Sequence, residues 1–179
     1  MRVIGGIARS IPLITREGLE TRPTGDRVKE AEFNILQFQL PGARVLDLFG
    51  GSGQLGIEAL SRGAAEATIV DCSPEAIRII QENLRRTKLE ASARVVRADY
   101  ADFLTNCTKK YQIIFLDPPY RENFLENALK RISEIDILLS GGIIICERPV
   151  DKILGDYPGL THTRDYRYGK TALTMYRKE

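Results

Sequence analysis

The stretch "RVLDLFGGSG" at residues 44–53 joins an apolar run to a glycine-rich loop. The aliphatic residues of 44–49 predict a buried β-strand, and the loop Gly50–Gly53 then opens a helix that continues to about Ser61. A strand, a tight loop and a helix in this order are the beginning of a βαβ unit. This stretch therefore predicts an α/β fold.

The same alternation continues along the chain. Further strands are predicted at 67–71, 93–99, 111–117 and 141–147, and helices begin at Ser73-Pro74, after residue 99 and at 124. Two last strands, 160–166 and 171–177, flank a turn that contains Gly169, which indicates an antiparallel hairpin. The chain is therefore predicted to be Rossmann-like, with a mostly parallel sheet covered on both faces and closed by that hairpin.

Residues 1–43 are predicted to be an extension of this core. "RVIGGI" and "IPLIT" have the pattern of two short strands, and a helix is expected from near Asp26 to just before Pro41. Because the 179 residues suit a single core, we expect one domain, with the extension at 1–43 and the core at 44–179.

Composition excludes several kinds of protein. No uncharged apolar run approaches the roughly 18 residues of a membrane span, so we expect a cytoplasmic protein with no membrane partner. His162 is the only histidine, and none of the three cysteines forms a Cys-x-x-Cys pair, so neither a clustered metal site nor a Ser-His-Asp triad is expected. The net charge of +2 does not by itself indicate a nucleic-acid-binding protein.

The glycine loop allows two kinds of ligand. Residues 51–56, "GSGQLG", fit G-x-G-x-x-G, and Asp71 follows 15 residues after Gly56, where a carboxylate can hold ribose hydroxyls. A dinucleotide-dependent oxidoreductase fits this pattern. However, Asp47 lies four residues before Gly51, where it would repel a pyrophosphate and attract an ammonium or sulfonium group. S-adenosylmethionine carries both of these cations.

Asp99 extends the same pattern to a third strand end, where it can meet the exocyclic amine of adenine. Asp47, Asp71 and Asp99 would then lie together on the rim where open α/β sheets bind ligands. The alternative is that these acids only cap the helices that follow them.

The strand 111–117 leads into "DPPY", Asp117 to Tyr120. The two prolines make a rigid turn without backbone donors, so Asp117 and the Pro118 carbonyl can accept the two hydrogens of an aromatic amine. Tyr120 can stack on the ring that carries the amine. Such acceptors stabilise the positive charge that develops on the nitrogen as it is methylated, and no strong base is required.

These residues resemble a known family. "VLDLFGGSG", Asp71, Asp99 and "DPPY" are similar to class I S-adenosylmethionine-dependent amino-methyltransferases. "RPTGDRVKEAEFN" (22–34) and "RYGKTAL" (167–173) resemble more narrowly the bacterial 16S ribosomal RNA (guanine-N2) methyltransferases of the small-subunit methyltransferase D type. The resemblance implies a seven-stranded sheet whose last strand is antiparallel.

The resemblance also implies the roles of individual residues. Cofactor contacts are expected from Asp47, Gly51, Gly53, Asp71, Asp99 and Asn34, catalysis from Asp117, Pro118 and Tyr120, and RNA contacts from Arg22, Thr24, Arg27, Lys29 and Arg167. The expected partner is 16S rRNA or an assembling 30S subunit, with no metal. Three alternatives stay open: methylation of DNA adenine, DNA cytosine or protein glutamine; the oxidoreductase; and an RNA-binding module without catalysis.

Overall fold

Seven strands and five α-helices make up the fold of the residues that the computed structural model describes, which are 1–16, 23–120 and 123–179. The strands are β1 Arg44–Asp47, β2 Glu66–Asp71, β3 Ala93–Arg97, β4 Tyr111–Leu116, β5 Leu138–Pro149, β6 Leu160–Tyr168 and β7 Thr171–Lys178. The helices are α1 Pro23–Ile35, α2 Gln54–Ser61, α3 Pro74–Thr87, α4 Tyr100–Asn106 and α5 Phe124–Glu134, and a 3-10 turn spans Glu90–Ser92.

The sheet has the order β3-β2-β1-β4-β5-β7-β6. Strands β1 to β5 pair in parallel, and β7 runs antiparallel to both of its neighbours. The predicted α/β fold with a seven-stranded, mostly parallel sheet and an antiparallel last strand is confirmed. Within the described residues, no helix is both long and apolar enough to cross a membrane.

The central strands are buried on both faces, as their unbroken apolar runs predict. Val45, Ile113 and Phe115 enter one core cluster, whereas Leu46 and Ile114 enter the cluster on the other face of the sheet. Alternate residues of a strand point to opposite faces, so each apolar run supplies both clusters.

The loop after β1 depends on glycine. Gly51 and Gly53 have φ of +58° and +80°, a region that residues with a Cβ seldom adopt, and Gly53 is the N-cap of α2. At Gly50 an added Cβ would lie 2.6 Å from Ile69 Cγ2, so the loop packs directly on β2. The next helix begins as predicted, because Ser73 caps α3 and Pro74 is its first residue.

The two strands predicted in the N-terminal extension form a shorter β-ladder with each other than expected. The two expected strands form one antiparallel bridge, Arg2 to Pro12. Three of the backbone N–H groups between them donate to side chains of α2: those of Ile4 and Gly5 donate to the Glu58 carboxylate at 2.9 and 2.8 Å, and that of Ala8 donates to Ser61 Oγ at 2.9 Å. Contacts with the core therefore replace a longer hairpin.

Arg148 fastens the C-terminal hairpin to β5. Its side chain is buried, and its Nε donates to Thr174 Oγ1 on β7 at 2.7 Å. Its guanidinium also forms an ion pair with Asp165 on β6 at 3.2 Å. One side chain thus links three neighbouring strands.

Candidate active site

The carboxyl ends of β1, β2 and β4 come together at one rim because these strands are parallel neighbours. A cavity of about 530 Å³ opens at this rim, and its lining includes Gly51, Asp71, Asp99, Asp117, Pro118 and Tyr120. A second hollow of about 360 Å³ shares Gly51 and Asp117 with it and adds Asp26 and Glu147. The structure therefore gathers most of the predicted cofactor and catalytic residues around one cleft.

Asp47 is the most deeply buried of the predicted acids, with 1% of its surface exposed. Its Oδ2 accepts a hydrogen bond from the Gly56 N–H at 3.2 Å, and its buried Oδ1 has no partner among the described residues. Burial raises the pKa of Asp47 to about 7, and the nearby Asp71 carboxylate contributes to the increase. A buried acceptor that lacks a partner suits a cationic ligand.

This raised pKa predicts how stability depends on pH. Between about pH 4 and about pH 7 the folded protein holds a proton on Asp47 that the unfolded chain has lost. The Asp47 contribution to the free energy of unfolding is therefore fully present below pH 4 and is lost as the pH rises to 7, with a slope of up to about 1.4 kcal/mol per pH unit. Relative to wild type, Asp47→Asn should gain stability across this range in urea titrations. An identical pH dependence of the two proteins would contradict the assignment.

Asp71 and Asp99 also bond to the backbone. The two oxygens of Asp71 accept from Gly51 N at 2.9 Å and Ser73 N at 2.8 Å, so Asp71 fixes the glycine loop. Asp99 is the N-cap of α4 and accepts from Ala101 N at 2.8 Å. The capping interpretation is therefore correct for Asp99, whereas α3 is capped by Ser73 and not by Asp71. These bonds do not exclude a ligand, since a carboxylate offers about four acceptor positions.

Asp117 and Tyr120, the predicted hydrogen-bond acceptor and stacking ring, lie just after the end of β4. Asp117 is half-buried, and burial raises its pKa well above the usual range, with further increases from the Glu147 and Asp47 carboxylates. Tyr120 is 46% exposed, and its hydroxyl donates to Glu147 Oε1 at 2.9 Å. A carboxyl group and an aromatic ring therefore stand together at the mouth of the cleft.

Sequence reasoning did not identify the aromatic side of the cavity. Phe49, Tyr100 and Phe124 form a cluster there, with ring centroids 5.1 to 6.2 Å apart. Phe49 and Tyr100 each follow closely on a predicted acid, which was the available clue. These rings give the cavity an apolar surface that suits a flat heterocycle.

A second omission is Glu32 on α1, which is 2% exposed. Its pKa is raised well above the usual range by burial and then by Glu147, Asp117 and Asp47. The helix of the extension therefore places a further acid beside the strand ends. The "EAEFN" pattern gave no indication of it, because helical periodicity does not show which core a buried residue enters.

Comparison with known proteins decides the family. The family model described as "Conserved hypothetical protein 95" matches residues 1–177. "Putative rRNA methyltransferase YlbH" of Bacillus subtilis (strain 168) is 41% identical over 99% of both chains. "Ribosomal RNA small subunit methyltransferase D" of Escherichia coli (strain K12) is 35% identical over 100% of this chain and 90% of its own. The chain belongs to this methyltransferase family.

The methyltransferase family also shares the whole fold. The solved structure titled "Putative methyltransferase yhhF from Escherichia coli" is 36% identical, covers 100% of this chain and 98% of its own, and superposes with a TM-score of 0.90. The resemblance inferred from the sequence motifs is thereby confirmed. The N-terminal extension belongs to the shared fold, because the match includes residues 1–43.

The residues predicted to bind RNA do not all lie on the surface. Arg27 and Arg167 are exposed, as the prediction requires. Lys29 is 3% exposed, donates to the Arg2 carbonyl at 2.7 Å and faces Glu58 at 3.8 Å, so its prediction as an RNA contact is wrong. Lys29 cannot reach an RNA because it lies on the buried side of α1.

Three further predictions concern α1 and the segment before it. Asn34 is exposed and lines a hollow with Arg27 and Tyr168, away from the residues of the cofactor cavity. Its predicted contact with the cofactor is therefore not supported, because the turn of the helix carries it to the outer face. Thr24 lies in the first turn of α1, and the structure describes its backbone but not its side chain. Arg22 lies outside the described residues.

Proposed function

We propose that this chain transfers a methyl group from S-adenosylmethionine to the exocyclic N2 amine of a guanine in 16S ribosomal RNA. The observation that carries the proposal is that Asp117, Pro118 and Tyr120 line the same cavity as Asp71 and Asp99. An amine-binding turn and a set of acids suited to a nucleoside therefore share one space. Membership of the methyltransferase family and the names of the relatives support rRNA as the substrate.

The cavity at the strand ends suits this cofactor in size and chemistry. Its volume of about 530 Å³ falls within the usual range for small-molecule sites, and aromatic rings form one side of it. When bound, S-adenosylmethionine supplies an electrophilic methyl group on a sulfonium. Asp47, Gly51 and Gly53 would hold its methionine end, Asp71 its ribose and Asp99 its adenine amine.

The catalytic residues act through hydrogen bonds and position. Asp117 and the Pro118 carbonyl would accept the two N–H bonds of the target amine, and Tyr120 would hold the base by stacking. A cation in the cleft favours the ionised form of Asp117, which counteracts the effect of burial on its pKa. The carboxylate is then an acceptor when positive charge develops on the nitrogen.

The exposed arginines give the RNA a place to bind. Arg27 and Arg167 are suited to phosphate contacts, which position a nucleic acid without reading its sequence. Specificity would come from the folded RNA or from an assembling 30S subunit, with the target base unstacked.

The test is a methyl-transfer assay with labelled S-adenosylmethionine. Naked 16S rRNA, partly assembled 30S particles, DNA and protein are offered separately, and the product nucleoside is identified by mass spectrometry. We expect N2-methylguanosine at one position of 16S rRNA. Label in DNA or protein alone, or tight NADH binding without S-adenosylhomocysteine binding, would refute the proposal.

A further inference from the structure

We propose that Glu147 determines which base is methylated, by accepting the N1–H that guanine carries beside its 2-amine. This inference rests on the proposed function, which assigns the amine itself to Asp117 and Pro118. It adds the contact that distinguishes guanine from other bases with an exocyclic amine, which the DPPY motif alone does not provide.

The sheet places Glu147 next to the amine-binding turn. Leu116 on β4 pairs with Cys146 on β5 in parallel register, and the next residue on each strand is Asp117 and Glu147. Neighbouring strands lie about 4.8 Å apart, so the two acids emerge side by side from the sheet. Both line the same hollow of about 360 Å³.

The surroundings of Glu147 confirm that it faces the cleft. Its Oε1 accepts from the hydroxyl of Tyr120, the predicted stacking residue, at 2.9 Å. Its charge raises the pKa values of Asp117, Glu32 and Tyr120, so all three groups lie within its electrostatic reach. A carboxylate offers about four acceptor positions, so a bond from Tyr120 is compatible with one from a base.

The chemistry of the bases explains the choice of a carboxylate. Guanine presents its 2-amine and N1–H as adjacent donors, whereas the amines of adenine and cytosine stand beside a ring nitrogen that is an acceptor. An ionised carboxylate only accepts hydrogen bonds. It therefore matches guanine and leaves two acceptors facing each other with adenine or cytosine, an arrangement that costs binding free energy.

Neither neighbouring acid fits this role. Asp117 is assigned to the reacting amine, and Glu32 is 2% exposed, so a base cannot reach it. Glu147 is half-buried at the rim, where an unstacked base would enter.

The test uses two RNAs that differ at one base. After the modified guanine has been mapped, an RNA is assembled with 2-aminopurine at that position; this base keeps the 2-amine but has an acceptor at N1. Wild type should favour guanine by about 100-fold or more in kcat/KM. In Glu147→Gln the side-chain amide can donate to N1 of 2-aminopurine, so we expect the preference to fall by at least about tenfold.

Tyr120→Phe is the matched control, because it removes the hydroxyl but keeps the Glu147 carboxylate. It should slow transfer to both RNAs in equal proportion and preserve the preference. If Tyr120→Phe lowers the preference as much as Glu147→Gln does, Glu147 acts through Tyr120 and the inference is wrong. Equal use of both RNAs by wild type would also overturn it, without requiring a folded variant. Absence of transfer to guanine would instead remove the proposed function, and the inference with it.

Discussion

Asp117→Ala is expected to lower the rate of methyl transfer to 16S rRNA by about 10²–10³-fold. The carboxylate stands at the end of β4, at the point where the cofactor cavity and the hollow containing Glu147 meet. Its loss removes an acceptor that acts when charge develops on the amine, so the effect should appear in kcat. Single-turnover assays at saturating cofactor would measure it.

The loss should not come from binding or folding. Calorimetric titration with S-adenosylhomocysteine should give nearly the wild-type affinity for Asp117→Ala. Asp151→Ala, which removes an exposed carboxylate after β5, is the matched control and should retain wild-type turnover. Unchanged turnover in Asp117→Ala would remove the catalytic assignment, and would favour an RNA-binding protein without catalysis.

Glu58→Ala is expected to lower the free energy of unfolding by about 3–5 kcal/mol. Glu58 is 0% exposed, and its carboxylate accepts from Arg62 Nε at 2.8 Å as well as from two backbone N–H groups of the extension. Lys29 Nζ lies 3.8 Å away and is buried too. Removing the carboxylate leaves a buried cation and buried donors without their acceptor. Removal of one partner from a buried charge network lowers the free energy of unfolding more than replacement of the whole network by apolar groups does.

Glu82→Ala provides the comparison for a surface ion pair. Glu82 pairs with Arg85 and Arg86 on the exposed side of α3, so its removal should cost less than about 1 kcal/mol. Urea unfolding followed by circular dichroism would give both values. Similar losses in the two variants would show that the Glu58 network does not anchor the extension.

The core could be predicted from the sequence because its strands follow a simple rule. Parallel strands buried on both faces are short apolar runs between turns, and the runs at 44–49 and 111–117 coincide with β1 and β4 to within two residues. The extension follows no such rule, since its backbone bonds to Glu58 and Ser61, more than 50 residues away. Sequence periodicity does not contain that information.

The candidate site was also predictable only in the part that the strands of the sheet position. The positions of Asp47, Asp71 and Asp117 at one rim could be predicted because these residues end parallel strands, and topology brings such ends together. Glu32 and the burial of Lys29 were missed because they depend on how α1 lies on the sheet. Asp71 bonds to Gly51 and Ser73, so both of its carboxylate oxygens help to hold the loop.

The insertion of β7 between β5 and β6 has a consequence for biosynthesis. Ribosomes make β6 first, yet within the sheet its neighbour is β7, which leaves the exit tunnel later. A nascent chain that ends after β6 therefore has the edge of β5 uncovered and holds a strand that cannot yet dock. Completion of the sheet, and with it the Arg148 linkage, must await translation of residues 171–178.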